Sequence, residues 1–282
     1  MDATQTEIAS RVIAQLESGQ AELPTLPDIA LKLKGMLDDP DFSNEQVVGL
    51  ITTDPVIALH VIRAANSAAL SAGHPVYNLR DAVSRLGYRM LHGMIINITL
   101  NRLFRAASPL IDAKLRELWK HSREVAANSY VLARDQSRIK PEVAMLAGLV
   151  HNIGALPLYM CADRYYPQIA PETLESLVNE YAAAITPRLL KNWNFPEELI
   201  EIVAGHAAQK YPGNIESADY INVLTIAKLQ AHDQQENIPW RNMLAAEKLG
   251  YYLADCRRFL TNHTEQLAAV KSLLLITASH PA

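Results

Sequence analysis

The sequence predicts an all-α protein of two closely packed helical lobes followed by a C-terminal helical extension. Three observations lead there. Helix starts are marked repeatedly by capping residues, apolar side chains recur three and four positions apart, and alternating strand patterns are scarce.

The elements follow in chain order. Ile8, Val12 and Leu16 line one face of a first helix, with Gly19 at its end. Ile29, Leu33 and Met36 line a second. Ser43 followed by Gln46 forms a capping box. Asp54-Pro55 sets an N-cap before a proline at the first helical position. Asn78 with Asp81 marks another start, and Gly87 a stop. "MIINITL", residues 94 to 100, is β-branched enough for a strand. Its neighbours continue a helical face, so it reads as helix. Ser108-Pro109 opens a long helix through Leu115, Leu118 and Val125. Pro141 opens the next. The tract from Val143 to Met160 is the most apolar of the chain, yet His151, Asn152, two glycines and Pro157 interrupt it. A bilayer-spanning helix wants about 20 mostly apolar residues, so the tract reads as buried core, with Gly154 as a helix stop. Thr186-Pro187 and Pro196 mark further starts, the latter leading into Leu199, Ile202 and Val203.

The totals narrow the function classes. A chain of 282 residues makes one large domain or two modest ones. A net charge of −4 argues against nucleic acid as a partner, because phosphate neutralisation calls for a basic face. Cys161 and Cys256 are too few and too isolated for a disulfide framework or a cysteine zinc site. A reducing cytoplasm suits them. The N-terminus has no basic segment leading into an apolar one, so no secretory signal is expected, and no membrane span. No long Gly/Ser/Pro linker divides the chain. The softest joints are residues 105–112 and 209–217.

Three of the nine histidines have apolar neighbours one turn away: His121 in "LWKHS", His151 in "LVHNIG" and His206 in "IVAGH". All three should face inward. Core histidines satisfied by hydrogen bonds explain any one of them. Three on successive helices raise the prospect of a shared pocket. There is no GxSxG elbow, P-loop or HExxH, and nothing sets a nucleophile beside a base. Trp119, Trp193 and Phe195 read as core rather than a base-stacking platform.

"LWKHS…GLVHNIG…GHAA" resembles the ligand frame of the HD superfamily of metal-dependent phosphohydrolases. Upstream, LPTLP (23–27), Asp54-Pro55, Ala65-Asn66-Ser67 and "AVSRLG" (82–87) resemble HDOD proteins, regulatory HD-related modules of bacterial signalling. The resemblance covers roughly residues 20–215. It implies residues 1–108 as the N-terminal lobe, 109–215 as a degenerate HD-like lobe, and 216–282 as helices completing or capping that lobe.

The departures from the HD pattern decide the expected chemistry. Where the HD pair has its aspartate this chain has Asn152, and Lys228 in "TIAKLQA" falls where a late aspartate is expected. A further family histidine aligns near Ala182 and is absent. An amide cannot neutralise a dication, and an ammonium repels one: at an effective dielectric near 20, unit charges about 4 Å apart interact by roughly 4 kcal/mol. His121, His151, Asn152, His206 and Lys228 therefore read as vestigial site positions, with no catalytic residue, metal or cofactor expected. Asn152 should bond to a retained histidine or to Lys228, since a buried polar group is costly unless paired. Glu124 and Glu201 are the nearest candidates to orient a ring. Asp54 reads as a helix cap, and Asn66 as a buried amide tying a helix exit to the next loop.

The expected function is a non-catalytic signalling module with protein partners in trans, cyclic-dinucleotide or phosphorelay components among them. The C-terminal amphipathic segments could also form a homodimer surface. Two alternatives stand: a divergent phosphohydrolase or phosphodiesterase using His121, His151 and His206, and a metal-free sensor of an anion or nucleotide.

Overall fold

The structure is a computed structural model describing residues 3–18, 28–37, 39, 41–67, 74–208, 215–231, 240–251 and 262–275. Among the described residues every regular element is a helix. The chain separates into two compact units, each assembled from two stretches of sequence. Unit 1 comprises Met1–Thr25 and Leu103–Leu260; unit 2 comprises Leu26–Arg102 and Thr261–Ala282.

This division departs from the expected one at both ends. The first helix, α1 (Ala3–Ser18), belongs to unit 1 rather than to the N-terminal lobe. Its Ile8 and Val12 are fully buried, and the Arg11 guanidinium lies 3.7 Å over the Tyr165 ring of the same unit. The last helix belongs to unit 2 rather than capping the HD-like lobe. Short-range periodicity tells which face of a helix is buried, not which partner buries it.

Unit 2 contains α2 (Asp28–Leu37), α3 (Asn44–Thr52), α4 (Pro55–Ala65), α5 (Leu79–Leu86), α6 (Tyr88–Asn101) and the last helix. Its starts are as read from sequence. Ser43 and Gln46 close a reciprocal capping box. Asp54 Oδ1 accepts the amides of Val56 and Ile57, while Oδ2 takes the Arg102 guanidinium at 2.8 Å. Asn78 caps α5 through the Asp81 amide. Gly87 ends α5 at φ 70°, a backbone angle that favours glycine. Asn66 ties the exit of α4 to the next loop with two 2.7 Å bonds, to the amide and the carbonyl of Val76. Asn66 itself is exposed rather than the buried amide expected, because the loop it holds lies at the surface. Helix α6 includes "MIINITL", and every residue from Met94 through Leu100 is buried. A helix buried all round shows no amphipathic period, which explains its strand-like composition.

Unit 1 contains α1, α7 (Pro109–Arg134), α8 (Pro141–Val150), α9 (Ala155–Tyr165), α10 (Pro171–Asn192), α11 (Glu197–Ala208), α12 (Ile215–Ala231) and α13 (Trp240–Lys248). The final helix of the chain, α14 (Thr264–Leu274), returns to unit 2. There Asn97 of α6 donates to the Leu274 carbonyl at 3.1 Å.

Two expected helix boundaries are not boundaries of that kind. Thr186-Pro187 lies inside the continuous α10. Pro187 removes one helical bond, yet the helix runs on through it; Thr186 beside it is fully buried and its hydroxyl donates to the Ala182 carbonyl. Gly154 does not stop a helix; it precedes α9 at φ −63°. It is glycine for lack of space, since a Cβ would collide with the Ala182 carbonyl and the Thr186 amide of α10. The apolar stretch Pro141–Tyr165 is long enough by composition to cross a bilayer, but 83% of its apolar window is buried within the fold. The LPTLP motif, Gly19, Cys256 and most of the 209–217 joint lie outside the described residues.

Candidate functional site

The site is built by a close backbone approach. Gly148 of α8 lies so near α7 that a Cβ would sit 2.8 Å from the Ala126 Cα and 2.9 Å from the Ser129 hydroxyl. Only glycine allows that contact. One turn on, His151 follows directly on the last residue of α8 and meets the His121 ring of α7. The two rings stand 5.5 Å apart, centre to centre. His206 of α11 approaches from another side, 6.4 Å from His151, and both pairs meet edge to face. His151 is 5% exposed and His206 9%, whereas His121 is half-buried. The structure thus brings together the three histidines singled out from the sequence.

Hydrogen bonds fix the tautomers. His151 Nδ1 lies 2.8 Å from the Gly148 carbonyl. A carbonyl only accepts, so Nδ1 carries the proton and Nε2 keeps its lone pair. Nε2 is buried and has no hydrogen-bond partner. His206 Nδ1 lies 3.1 Å from the Thr225 hydroxyl, which donates its own proton to the Ile221 carbonyl. Thr225 then accepts from His206, and Nε2 of that ring is again the basic nitrogen.

Burial pushes the His151 imidazole well below its usual pKa. The positive charge of Lys228 pushes it further, as do His206 and His121, against the Gly148 carbonyl, which favours the protonated form. His151 is neutral at pH 7. The same influence places the Lys228 ammonium, half-buried near the end of α12, within electrostatic reach of the cluster.

Other expectations fare differently. Asn152 is half-buried, and among the described residues its side chain bonds to none of His121, His151, His206 or Lys228. The helix ends at His151, and Asn152 lies in the turn beyond it, where half-exposure leaves its amide water to bond with. Glu201 is exposed on α11, and the charge of Glu124 acts on its neighbour Arg123. Neither orients a ring as expected. Ala182 is buried in α10, its carbonyl pressed by Gly154. Sequence reasoning missed Thr225 and Asn128. Thr225 precedes Lys228 by one turn, and Asn128 follows His121 by two turns and donates to the Ala227 carbonyl at 3.1 Å. Their helical spacing from the chosen residues was the available signal.

The HD-type fold raises the question of a divalent metal. The donor set does not fit one. Among the described residues no three His, Cys, Asp or Glu side chains are grouped so as to hold a metal ion.

Comparison with known proteins agrees with this architecture. The HDOD domain family profile matches residues 23–209. A curated relative from Treponema pallidum, called only an uncharacterized protein, is 24% identical over 261 residues, 85% of this chain. The chain spans about half that relative's length, 48%. Among solved structures, a Shewanella amazonensis protein provisionally named a metal-dependent phosphohydrolase superposes with a TM-score of 0.76 at 24% identity, covering 97% of this chain and 100% of its own. A Geobacter sulfurreducens HDOD domain protein of unknown function gives 0.68 at 24% identity, covering 97% and 99%. A Marinobacter aquaeolei protein provisionally named for signal transduction gives 0.66 at 21%, covering 96% and 66%. At these identities the likeness is one of fold.

Proposed function

The chain belongs to the HDOD domain family, and from that premise we propose that it is a non-catalytic signal-transduction module of the bacterial cytoplasm. It acts through protein contacts in trans, with signalling proteins or a second copy of itself, on the scaffold of a degenerate HD site. One observation carries the reading: the Lys228 charge bears on the buried His151 imidazole where a hydrolase of this fold needs carboxylates. A dication entering the cluster would meet the neutral His151 ring and the Lys228 cation, and would lose its hydration without charge compensation.

One observation favours a competing reading. His151 donates through Nδ1 to a backbone carbonyl and leaves Nε2 bare and buried. That is the tautomer metal-binding histidines adopt, so a three-histidine phosphohydrolase using His121, His151 and His206 is the alternative to test. An anion sensor is less well served, because the unpartnered nitrogen of the neutral His151 ring is a lone pair that repels an anion.

The test is turnover of a panel of phosphomonoesters, phosphodiesters and cyclic dinucleotides by the purified chain supplied with Mn2+, Fe2+ or Zn2+. The proposal expects rates equal to those of the His151→Ala variant. Metal-dependent hydrolysis abolished by that substitution would establish the enzyme instead.

A further inference from the structure

The chain passes between the units at residues 25–26, 102–103 and 260–261. Of these passages, 102–103 lies among the described residues. Its two sides are anchored with very different strength, one within unit 1 and the other within unit 2.

On the unit 1 side the segment is seated firmly. Phe104 is 2% exposed, and its ring stands 4.6 Å from that of Trp119 in α7. Two carboxylates hold the backbone beyond it. Asp163, near the end of α9, accepts the Ala107 amide at 3.0 Å and the Ser108 amide at 2.9 Å, one on each oxygen. Asp112 accepts the Ala106 amide at 3.4 Å. Hydrogen bonds to an ionised carboxylate are stronger than neutral ones. Residues 104–108 are therefore part of unit 1, although the sequence suggests a soft joint at 105–112.

On the unit 2 side the hold is slight. Arg102 ends α6, and its amide bonds back to the Leu100 and Thr99 carbonyls. Its side chain, 48% exposed, reaches Asp54 Oδ2 at 2.8 Å. Asp54 Oδ1 meanwhile caps α4 through the Val56 and Ile57 amides. One carboxylate thus ties the start of α4 to the point where the chain leaves unit 2. An ion pair this exposed favours its closed form by roughly fivefold or less, and salt screens it. Between that pair and Phe104 stands Leu103 alone.

We propose that the Asp54–Arg102 pair is a releasable latch on the passage between the units. From Leu103 onward the segment travels with unit 1. Breaking the pair frees the end of α6 and widens the range of positions open to unit 2 about Leu103. The relative strengths decide which side yields. Opening on the unit 1 side would expose Phe104 and strip the Ala106, Ala107 and Ser108 amides of their acceptors. Opening on the unit 2 side costs one screened ion pair. A weak latch suits a switch, because a small input then shifts the populations. The inference holds whether the histidine cluster is inert or catalytic.

The test is the distance distribution between spin labels on the full chain, read by pulsed electron paramagnetic resonance. The labels are attached through p-acetylphenylalanine placed at Arg89 of α6 and Ser176 of α10, exposed positions in unit 2 and unit 1. At about 0.02 M salt the parent should show a narrow distribution, and at about 0.5 M a broader one. Arg102→Gln and Asp54→Asn should be broad at both, with the narrow component reduced roughly fivefold. Arg102→Lys should keep the narrow form at low salt. Asparagine caps a helix as well as aspartate does, so in Asp54→Asn hydrogen exchange of the Val56 and Ile57 amides should stay unchanged. Exchange of Ala107 and Ser108 should be unchanged in every variant. A low-salt distribution that is the same in parent, Arg102→Gln and Asp54→Asn would reduce the pair to surface decoration and overturn the latch. Faster exchange at Ala107 and Ser108 when the pair is broken would overturn it too, by showing that the segment is not seated in unit 1.

Discussion

The two units bury different things. The core of unit 1 is laced with polar groups: Ser122, Asn128, Ser129, His151, Thr186, His206, Asn222 and Thr225 are all buried there. Several keep atoms without hydrogen-bond partners, including His151 Nε2, Asn128 Oδ1 and Ser129 Oγ. Unit 2 buries Asn97 and Thr99, has buried atoms without hydrogen-bond partners of its own on Asn44, Ser67 and Asn97, and carries all the exposed large apolar side chains among the described residues. Unsatisfied buried polar atoms cost about 1–3 kcal/mol each. Unit 1 therefore holds the histidine cluster, and unit 2 the exposed apolar side chains.

The largest expected effect restores what unit 1 lacks. Asn152→Asp combined with Lys228→Asp supplies two carboxylates to the histidine cluster. The double variant is expected to retain near-stoichiometric zinc or manganese through gel filtration, measured by elemental analysis, where the parent retains only traces. Continued absence of metal would mean that the cluster is not an HD remnant.

Packing gives the next effect. Gly148→Ala forces a Cβ into the α7 backbone at Ala126, so unit 1 should lose about 2–4 kcal/mol. Hydrogen exchange should register the loss in α7 and α8 and leave α3 to α6 unchanged. Uniform loss would show that the units unfold as one.

In unit 2 the corresponding test is Asn97→Ala. It removes the bond to the last carbonyl of α14, at a cost of about 1 kcal/mol. Exchange should quicken in residues 264–274 more than in α3 or α5.

The smallest effect is the response to acid. His151 has a folded pKa below 6.5 and an unfolded one near it. Below pH 6.5 the unfolded chain takes up a proton that the folded chain refuses. The contribution of His151 is thus complete above the unfolded value and is lost as pH falls toward the folded one, at a slope approaching about 1.4 kcal/mol per pH unit. The positive charge of Lys228 near the ring lowers the folded value further and so extends the loss to lower pH. Urea denaturation followed in unit 1 from neutral pH into mild acid should show this slope, flattened by His151→Gln.

How much of this is legible in the sequence depends on the range of the interaction concerned. The Ser43–Gln46 box, the Asp54 and Asn78 caps and the helical identity of "MIINITL" are readable, because the groups involved lie within a turn or two of one another. The three histidines are readable as a group because each has apolar neighbours one turn away, although α9 and α10 come between the second and the third. Gly154 and Pro187 mislead. Both are explained by α10 passing the α8–α9 turn, a contact between residues far apart in the chain that no local signal records. The assignment of α1 to unit 1 and α14 to unit 2 escapes the sequence for the same reason. The cost of burying an amide predicts that Asn152 is tied within the cluster, but it sits half-exposed in a turn, where that cost is small.

The most direct measurement of the central claim is a titration of the purified, chelator-treated wild-type chain with zinc and manganese, followed by elemental analysis after desalting. An amide and an amine in place of two carboxylates predict that neither ion is retained above the level of the His151→Ala chain. One tightly held ion per chain, lost on His151→Ala, would contradict the account.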